Sequence, residues 1–428
     1  MRYDPIDPQL FVQNRRRLAA LMSPRSLAVV HSNDILPTNA DGTLPLKQSS
    51  DLFYLSGVDQ EESILLLFPD ADDPTQREIL FLREPTPQVQ LWEGRKLTRE
   101  DARKATGIRN IQWLSAFPSL LHRLMCEAEG VYLNSNEHRR AVVEVQSRDA
   151  RFIDECRRRH PLHQYLRLAR LMHALRIEKS AAEMALLQRA CDVTRAAVLR
   201  VLKFTRPGVM EFEVEAEFAH EFIRNRAGFA YNPIIATGAN ACALHYNDNS
   251  APCRKGELLL LDVGACYANY NADMTRTIPV SGRFTPRQKK VYRAVLRVLR
   301  TAIDDLRPGR KIKEWQKNAE QHMEKELLDL GLITASDIRK QSPEQPAFKR
   351  YFMHGLGHPL GLDVHDVGFT TEPVQPGWVM TVEPAIYIPD EGFGIRLEDD
   401  ILVGRDGNTN LMATIPIEPE EIESLMKH

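Results

Sequence analysis

Over roughly the first 160 residues, short apolar runs alternate with segments in which apolar side chains recur every three or four positions. The runs at 26–31, 63–68, 78–82 and 130–133 read as strands, and the periodic segments at 11–22 and 117–127 read as amphipathic helices. This alternation predicts an α/β domain. The pattern breaks at Arg157-Arg158-Arg159-His160-Pro161, a basic stretch closed by proline, which sets the domain boundary; the arginines themselves read as a solvated face. The expected division is an N-terminal domain at 1–165 and a second domain at 171–428.

Beyond the break the periodicity changes character. Ser180-Ala181-Ala182-Glu183 has the form of a capping box, in which the serine accepts from an orphan N–H and the glutamate reaches back. The helix it opens carries Met184, Leu187, Cys191, Thr194, Val198 and Val201 on one stripe and stops at Arg206-Pro207-Gly208. A second helix, with Val214, Phe218 and Phe222 inward, ends near Gly228. About a hundred residues later the arrangement recurs. Thr285-Pro286 opens a helix with Tyr292, Val295, Leu296, Leu299, Ile303 and Leu306 inward, Arg307-Pro308-Gly309 ends it, and a further helical stretch runs over 313–330. β-Hairpin signals follow each helix pair, so this half is expected to be α+β, built from a helix-helix-hairpin unit used twice.

Composition narrows the class without naming the chemistry. At about 150 residues per domain, 428 residues make two or three domains. Hydrophobic residues at 43% and charged residues at 27% are those of a globular protein. With 56 Lys+Arg against 58 Asp+Glu the net charge is −2, which gives no global field for nucleic acid or an anionic membrane. Six cysteines without a C-x-x-C pair, an N-terminus rich in acids and prolines, and the lack of any apolar run near ~18 residues point to a cytoplasmic protein.

The carboxylates of the hairpins carry the chemistry. Asp262 follows four consecutive leucines, and a carboxylate buried there costs several kcal/mol unless it is paired or bound to metal. Asp273 lies 11 residues on, so a hairpin centred at Tyr267-Ala268 would set the two aspartates directly opposite on one face. Like charges so placed repel, and a cation between them reverses the sign. Glu383 and Glu398, 15 residues apart, repeat the pattern about a midpoint between Asp390 and Glu391, in the turn Pro389-Asp390-Glu391-Gly392. Two such pairs on Val/Ile/Leu-rich strands predict a metal site.

Three of the 13 histidines, His354, His358 and His365, fall within twelve positions. The spacing of His354 and His358 matches a zincin helix, but Gly355, Gly357 and Pro359 oppose a helix and no Glu follows His354; a loop or strand presenting each imidazole separately is expected. His245, in Ala243-Leu244-His245-Tyr246-Asn247, is a fourth candidate that reads equally well as an ordinary histidine. Four carboxylates and one imidazole suit two divalent ions such as Mn²⁺, Co²⁺ or Zn²⁺. The charges balance, leaving the ions acidic enough to activate water at neutral pH and to polarise a carbonyl, which is hydrolytic chemistry.

Five stretches taken together resemble the pita-bread (M24) metallopeptidases, in their aminopeptidase P and prolidase branch. They are Leu261-Asp262-Val263-Gly264, Ala272-Asp273-Met274-Thr275-Arg276-Thr277, the segment 354–366, Thr381-Val382-Glu383-Pro384 and Gly394-Ile395-Arg396-Leu397-Glu398-Asp399. The likeness covers the chain from about Leu171 onward, and more weakly Leu46 to Gly57, which resembles the creatinase-like N-terminal lobe of these enzymes. The resemblance implies an α/β creatinase-like lobe ahead of an α+β pita-bread catalytic domain with pseudo-two-fold symmetry. It implies that Asp262, Asp273, His358, Glu383 and Glu398 hold two metal ions, Mn²⁺ first among them, with Asp273 and Glu398 bridging. Glu383 would double as general base, His245 and His365 would contact the substrate carbonyl, and His354 would line the pocket. Arg396 would hold the network around Glu398, and Tyr387 and Trp92 would bind substrate, the tryptophan from a neighbouring subunit of a homodimer or homotetramer. A buried core tryptophan is the competing reading of Trp92.

The implied substrate is a peptide with proline second, whose imide nitrogen has no N–H. Xaa-Pro aminopeptidase is the leading expectation and Xaa-Pro dipeptidase the alternative. The stretch 367–382 has no Arg or Lys where many relatives place an arginine, which weakens the dipeptidase, since that enzyme must hold a free carboxylate. Pro359 stands where relatives commonly carry a bulkier residue. A metal-free creatinase-like amidinohydrolase or a non-catalytic binding protein comes last, because relatives of those kinds lose ligands and all five positions are filled here.

Overall fold

A computed structural model describes residues 3–369 and 371–427; Met1, Arg2, His428 and, in the arginine-free stretch, Thr370 lie outside the described residues. These divide into two compact units, 3–176 and 177–427. No helix among the described residues is long and apolar enough to cross a membrane.

The first unit is the expected α/β domain. Its six-stranded sheet runs, in spatial order, Asn110–Trp113, Glu78–Leu82, Ile64–Leu67, Ser26–His31, Gly130–Leu133 and Gln164–Arg167. The pairs made by Ile64–Leu67 are antiparallel and the others parallel. Ser26–His31 is buried along its whole length, as a central strand covered on both faces should be. The helices Gln9–Leu21 and Phe117–Glu127 stand where the periodicity placed them. Arg157, Arg158 and Arg159 form the exposed last turn of the helix Arg148–Arg159, and Pro161 sits in the turn leading to the edge strand Gln164–Arg167.

The second unit repeats a helix pair and a hairpin. Ser180 caps Ala181–Phe204 through a reciprocal box with Glu183, Thr285 does the same for Pro286–Asp305 with Gln288, and Pro286 supplies the preset φ at the first helical position. Glu211–Arg224 and Ile312–Asp329 complete the pairs. The first of these ends four residues short of Gly228, where the backbone turns at Arg226 with φ 62°. After the first pair, Ile234–Thr237, Leu258–Asp262 and Thr275–Pro279 form one sheet; after the second, Val379–Val382 pairs with Asp399–Leu402 and Ala385–Ile388 with Phe393–Arg396. A bridge between Thr275 and Glu398 joins the two halves.

The two hairpin registers met different fates. Val382 pairs with Asp399 and Ala385 with Arg396, so Glu383 and Glu398 fall opposite each other between two ladders of one register, as expected. In the first hairpin the turn is Ala268-Asn269, both left-handed at φ 50° and 64°, one residue beyond the expected centre. Asp262 therefore pairs with Thr275, and the aspartates are not directly opposite.

Candidate metal centre

The second unit gathers the acids nonetheless. Asp262 ends the strand Leu258–Asp262, and Asp273 lies two residues before Thr275 on the neighbouring strand. Tyr231 draws them together, its hydroxyl 2.6 Å from Oδ1 of each. One hydroxyl hydrogen serves one carboxylate at a time, so the pair is held close with only part of the donors it needs. Opposite, Glu398 accepts from the Thr275 hydroxyl at 2.7 Å and donates its N–H to the Thr275 carbonyl at 3.0 Å. Glu383 hangs on the hydrogen bond from its N–H to the Leu356 carbonyl, 2.8 Å.

The histidine segment is irregular, with no helix through 354–358. Gly357 lets it lie against the next strand: a Cβ there would sit 2.0 Å from the Thr381 carbonyl. The His358 N–H is then held by the Thr381 hydroxyl at 3.1 Å, and its Nδ1 is 3.0 Å from the Pro359 carbonyl. A carbonyl only accepts, so Nδ1 carries a proton and Nε2 points inward. It faces Asp273 Oδ2 at 3.4 Å and Glu383 Oε1 at 3.8 Å. Burial opposes a charge on His358, but Asp273 and Glu383 outweigh it and raise the imidazole above its ordinary range. Without an ion a proton on Nε2 therefore bridges these atoms, and a divalent ion would take that proton's place. Asp273, His358 and Glu398 each offer an atom within 4.8 Å of the others, which fits a divalent ion.

Electrostatics agree. Without a cation, burial holds Glu383 up at about 7 against the lowering charges of His358 and Arg396, and burial followed by the neighbouring carboxylates pushes Glu398 well above the ordinary range. Asp262 is raised as well, chiefly by burial, although Arg396 opposes this. Arg396 is the hub: it donates to Asp262 Oδ2 at 2.5 Å, to the Thr275 hydroxyl at 3.1 Å and to the Tyr387 hydroxyl at 2.7 Å. The Tyr387 hydroxyl passes its own hydrogen to His354 Nε2 at 2.9 Å, while His354 Nδ1 donates to the Gly355 carbonyl at 2.8 Å. Burial, then the Arg396 charge, lowers His354 to about 4, so this imidazole is neutral.

The structure therefore brings together Asp262, Asp273, His358, Glu383, Glu398, Arg396, Tyr387 and His354. His365 is exposed, with its ring edge-on to His358 at 4.3 Å. His245 is exposed and close enough to His354 for its charge to be felt there. Tyr387 is buried behind His354, with its hydroxyl committed to that histidine and to Arg396. Trp92 belongs to the first unit, on the helix Pro87–Glu93, and is 72% exposed, which excludes the buried-core alternative. Sequence reasoning missed Tyr231, whose surroundings read as an ordinary loop, and Asp400, whose carboxylate accepts the Asp273 N–H at 3.1 Å.

Comparison with known proteins agrees with this centre. The profile of metallopeptidase family M24 matches residues 185–405 and that of the aminopeptidase P N-terminal domain matches 11–132. A curated relative, the Xaa-Pro aminopeptidase of Escherichia coli strain K12, is 36% identical over 98% of each chain. Among solved structures, one described as a putative aminopeptidase P from Bacillus anthracis superposes with a TM-score of 0.91 at 31% identity, covering 98% of both chains. Aminopeptidase P from Escherichia coli with the inhibitor Pro-Leu gives 0.88 at 35% identity, covering 99% of both. The chain belongs to metallopeptidase family M24, as a hydrolase built to work with a divalent metal ion.

Proposed function

We propose that this metallopeptidase removes the N-terminal residue from peptides with proline in second position, as an Xaa-Pro aminopeptidase. The observation that carries the reading is the convergence of Asp262, Asp273, His358, Glu383 and Glu398 on one buried centre. The substrate class is supported by the Xaa-Pro aminopeptidase relative and by the aminopeptidase P structure holding Pro-Leu.

These five residues would hold two divalent ions, Mn²⁺ in our reading; when bound, the ions supply Lewis-acid polarisation of the scissile carbonyl and acidify water. Glu383 takes the proton from the attacking water and passes it to the departing proline nitrogen. His245 and His365, the exposed imidazoles, donate to the substrate carbonyl oxygen as negative charge grows there. His354 lines the pocket, kept in one tautomer by Tyr387, and Arg396 fixes Asp262, Thr275 and Tyr387 in one frame. The exposed Trp92 closes a neighbouring subunit's site in a homodimer or homotetramer. The compartment is the cytoplasm, in keeping with six free cysteines.

The test offers Xaa-Pro and Xaa-Pro-Yaa-Zaa peptides to the Mn²⁺-loaded protein. Faster turnover of the tetrapeptide is expected; strong preference for the dipeptide would replace this reading with a dipeptidase. Metal analysis of the active protein counts the ions, and one ion per chain at full activity would sink the dinuclear assignment.

A further inference from the structure

We propose that Glu211 is a positioning residue for His245, holding the loop 237–251 in the shape that presents this imidazole to the substrate carbonyl. The inference rests on the role given to His245 above. Glu211 opens the helix Glu211–Arg224 and is fully buried. Its own helix does not use its carboxylate, because the side chain of Glu213 accepts the Met210 N–H at 2.7 Å. Both Glu211 oxygens turn instead to the loop. Oε1 accepts the Thr237 N–H at 2.7 Å and Asn240 Nδ2 at 3.2 Å; Oε2 accepts the Tyr246 hydroxyl and the Ala251 N–H, each at 2.8 Å. Among the described residues no cation pairs with it.

Those donors come from the start, the 3₁₀ turn, the middle and the end of one loop. A single carboxylate thus closes the whole segment, with four acceptor sites meeting four donors. Glu215, one helical turn on, adds a brace by accepting Asn249 Nδ2 at 2.8 Å, and Asn249 Oδ1 takes the Ile235 N–H at 3.0 Å. The direction of His245 follows from its neighbours. Leu244 and Tyr246 pack against the cluster of Ile234, Ala236, Leu260 and Tyr387, the last being the residue that fixes His354. His245, between two inward anchors, is left facing out. An apolar residue at 211 would strand the buried N–H groups of Thr237 and Ala251, and glutamine would set its NH₂ against one or the other whichever way it turned.

The test is a double-mutant cycle on the metal-loaded full chain, with kcat and KM measured on an Xaa-Pro-Yaa-Zaa peptide for Glu211→Gln, His245→Ala and the double variant. His245→Ala is expected to lower kcat about hundredfold, as for loss of one donor to a developing oxyanion. Glu211→Gln is expected to lower kcat about tenfold with KM within about twofold, the signature of an interaction realised in the transition state. The double variant should be no slower than His245→Ala alone, because the carboxylate acts only through the imidazole. No effect of Glu211→Gln, or an equal loss in both backgrounds, would overturn the positioning role while leaving the role of His245 intact. Wild-type turnover by His245→Ala would instead overturn that underlying role, and this proposal with it. If Glu211→Gln does not fold, Tyr246→Phe, which removes one donor and keeps the ring packing, goes through the same cycle. A loss that vanishes without His245 supports the proposal, and one that persists overturns it.

Discussion

The two hairpins of the second unit deliver two carboxylates each, by different means. In the second, Glu383 and Glu398 lie opposite each other at the gap between two ladders that share one register. In the first, Asp262 and Asp273 belong to non-facing positions and are drawn together by the Tyr231 hydroxyl, while Arg396, a residue of the second hairpin, reaches back to Asp262. The glutamates occupy facing positions of their ladder, whereas Asp273 lies two residues from the position facing Asp262, and a shared tether closes that offset. The first pair thus depends on the second hairpin through Arg396, and the second pair depends on the first through Thr275 and through Arg276, whose guanidinium donates to the Glu398 carbonyl at 2.7 Å.

Stripping the metal tests both pairs as one unit and should have the largest effect. Chelation is expected to abolish turnover and re-addition of Mn²⁺ to restore it; activity indifferent to chelation would break the whole picture. Next comes the proton-handling role placed on the second pair alone. Glu383→Gln, which keeps the shape and removes the base, should lower kcat by about a thousandfold. Near-normal turnover in a variant that still binds metal would move the base to another residue.

The pairs should also differ in how they release protons. Without metal, burial holds Glu383 at about 7, so below that pH it carries a proton that a bound ion must displace. Raising the pH through 7 removes that competitor, and metal affinity should therefore strengthen from pH 6 to 8 by up to about tenfold per unit for this group before levelling off. Titration calorimetry at several pH values checks this. Glu383→Gln should flatten the profile near 7 more than Asp262→Asn does, and an unchanged profile in Glu383→Gln would assign the proton elsewhere.

How much was legible in the sequence follows the same divide. Helix starts were readable because their signals are local, a capping box at Ser180 and a Thr-Pro start at Thr285. The second register was readable because Pro389 to Gly392 marks its turn plainly. The first was not, because Tyr267-Ala268 and Ala268-Asn269 differ by one residue, and the clue was Asn269, the residue of the three that best tolerates a left-handed backbone. Tyr231, Asp400 and Glu211 act at 31 to 127 residues' separation from what they hold, or on a loop whose ends only the fold brings together. Their side chains look ordinary in sequence, and no spacing rule finds them.

The smallest expected effect isolates the turn itself. Gly392 closes the second hairpin with φ 69°, and a Cβ built there meets nothing within 4 Å. Gly392→Ala therefore adds no clash, and its cost is conformational alone: about 1 kcal/mol for an L-residue held left-handed. That corresponds to a fall in Tm of about 2 °C for a unit of this size. Gly392→Asn should cost less, since asparagine tolerates this region as Asn269 does in the first hairpin. Both variants should keep wild-type kcat, because the register about 390–391 is fixed as well by the ladders on either side of Glu383 and Glu398. A drop in kcat without a matching drop in Tm would show that the turn sets the alignment of the glutamates, and that the facing register of the ladders does not hold the second pair by itself.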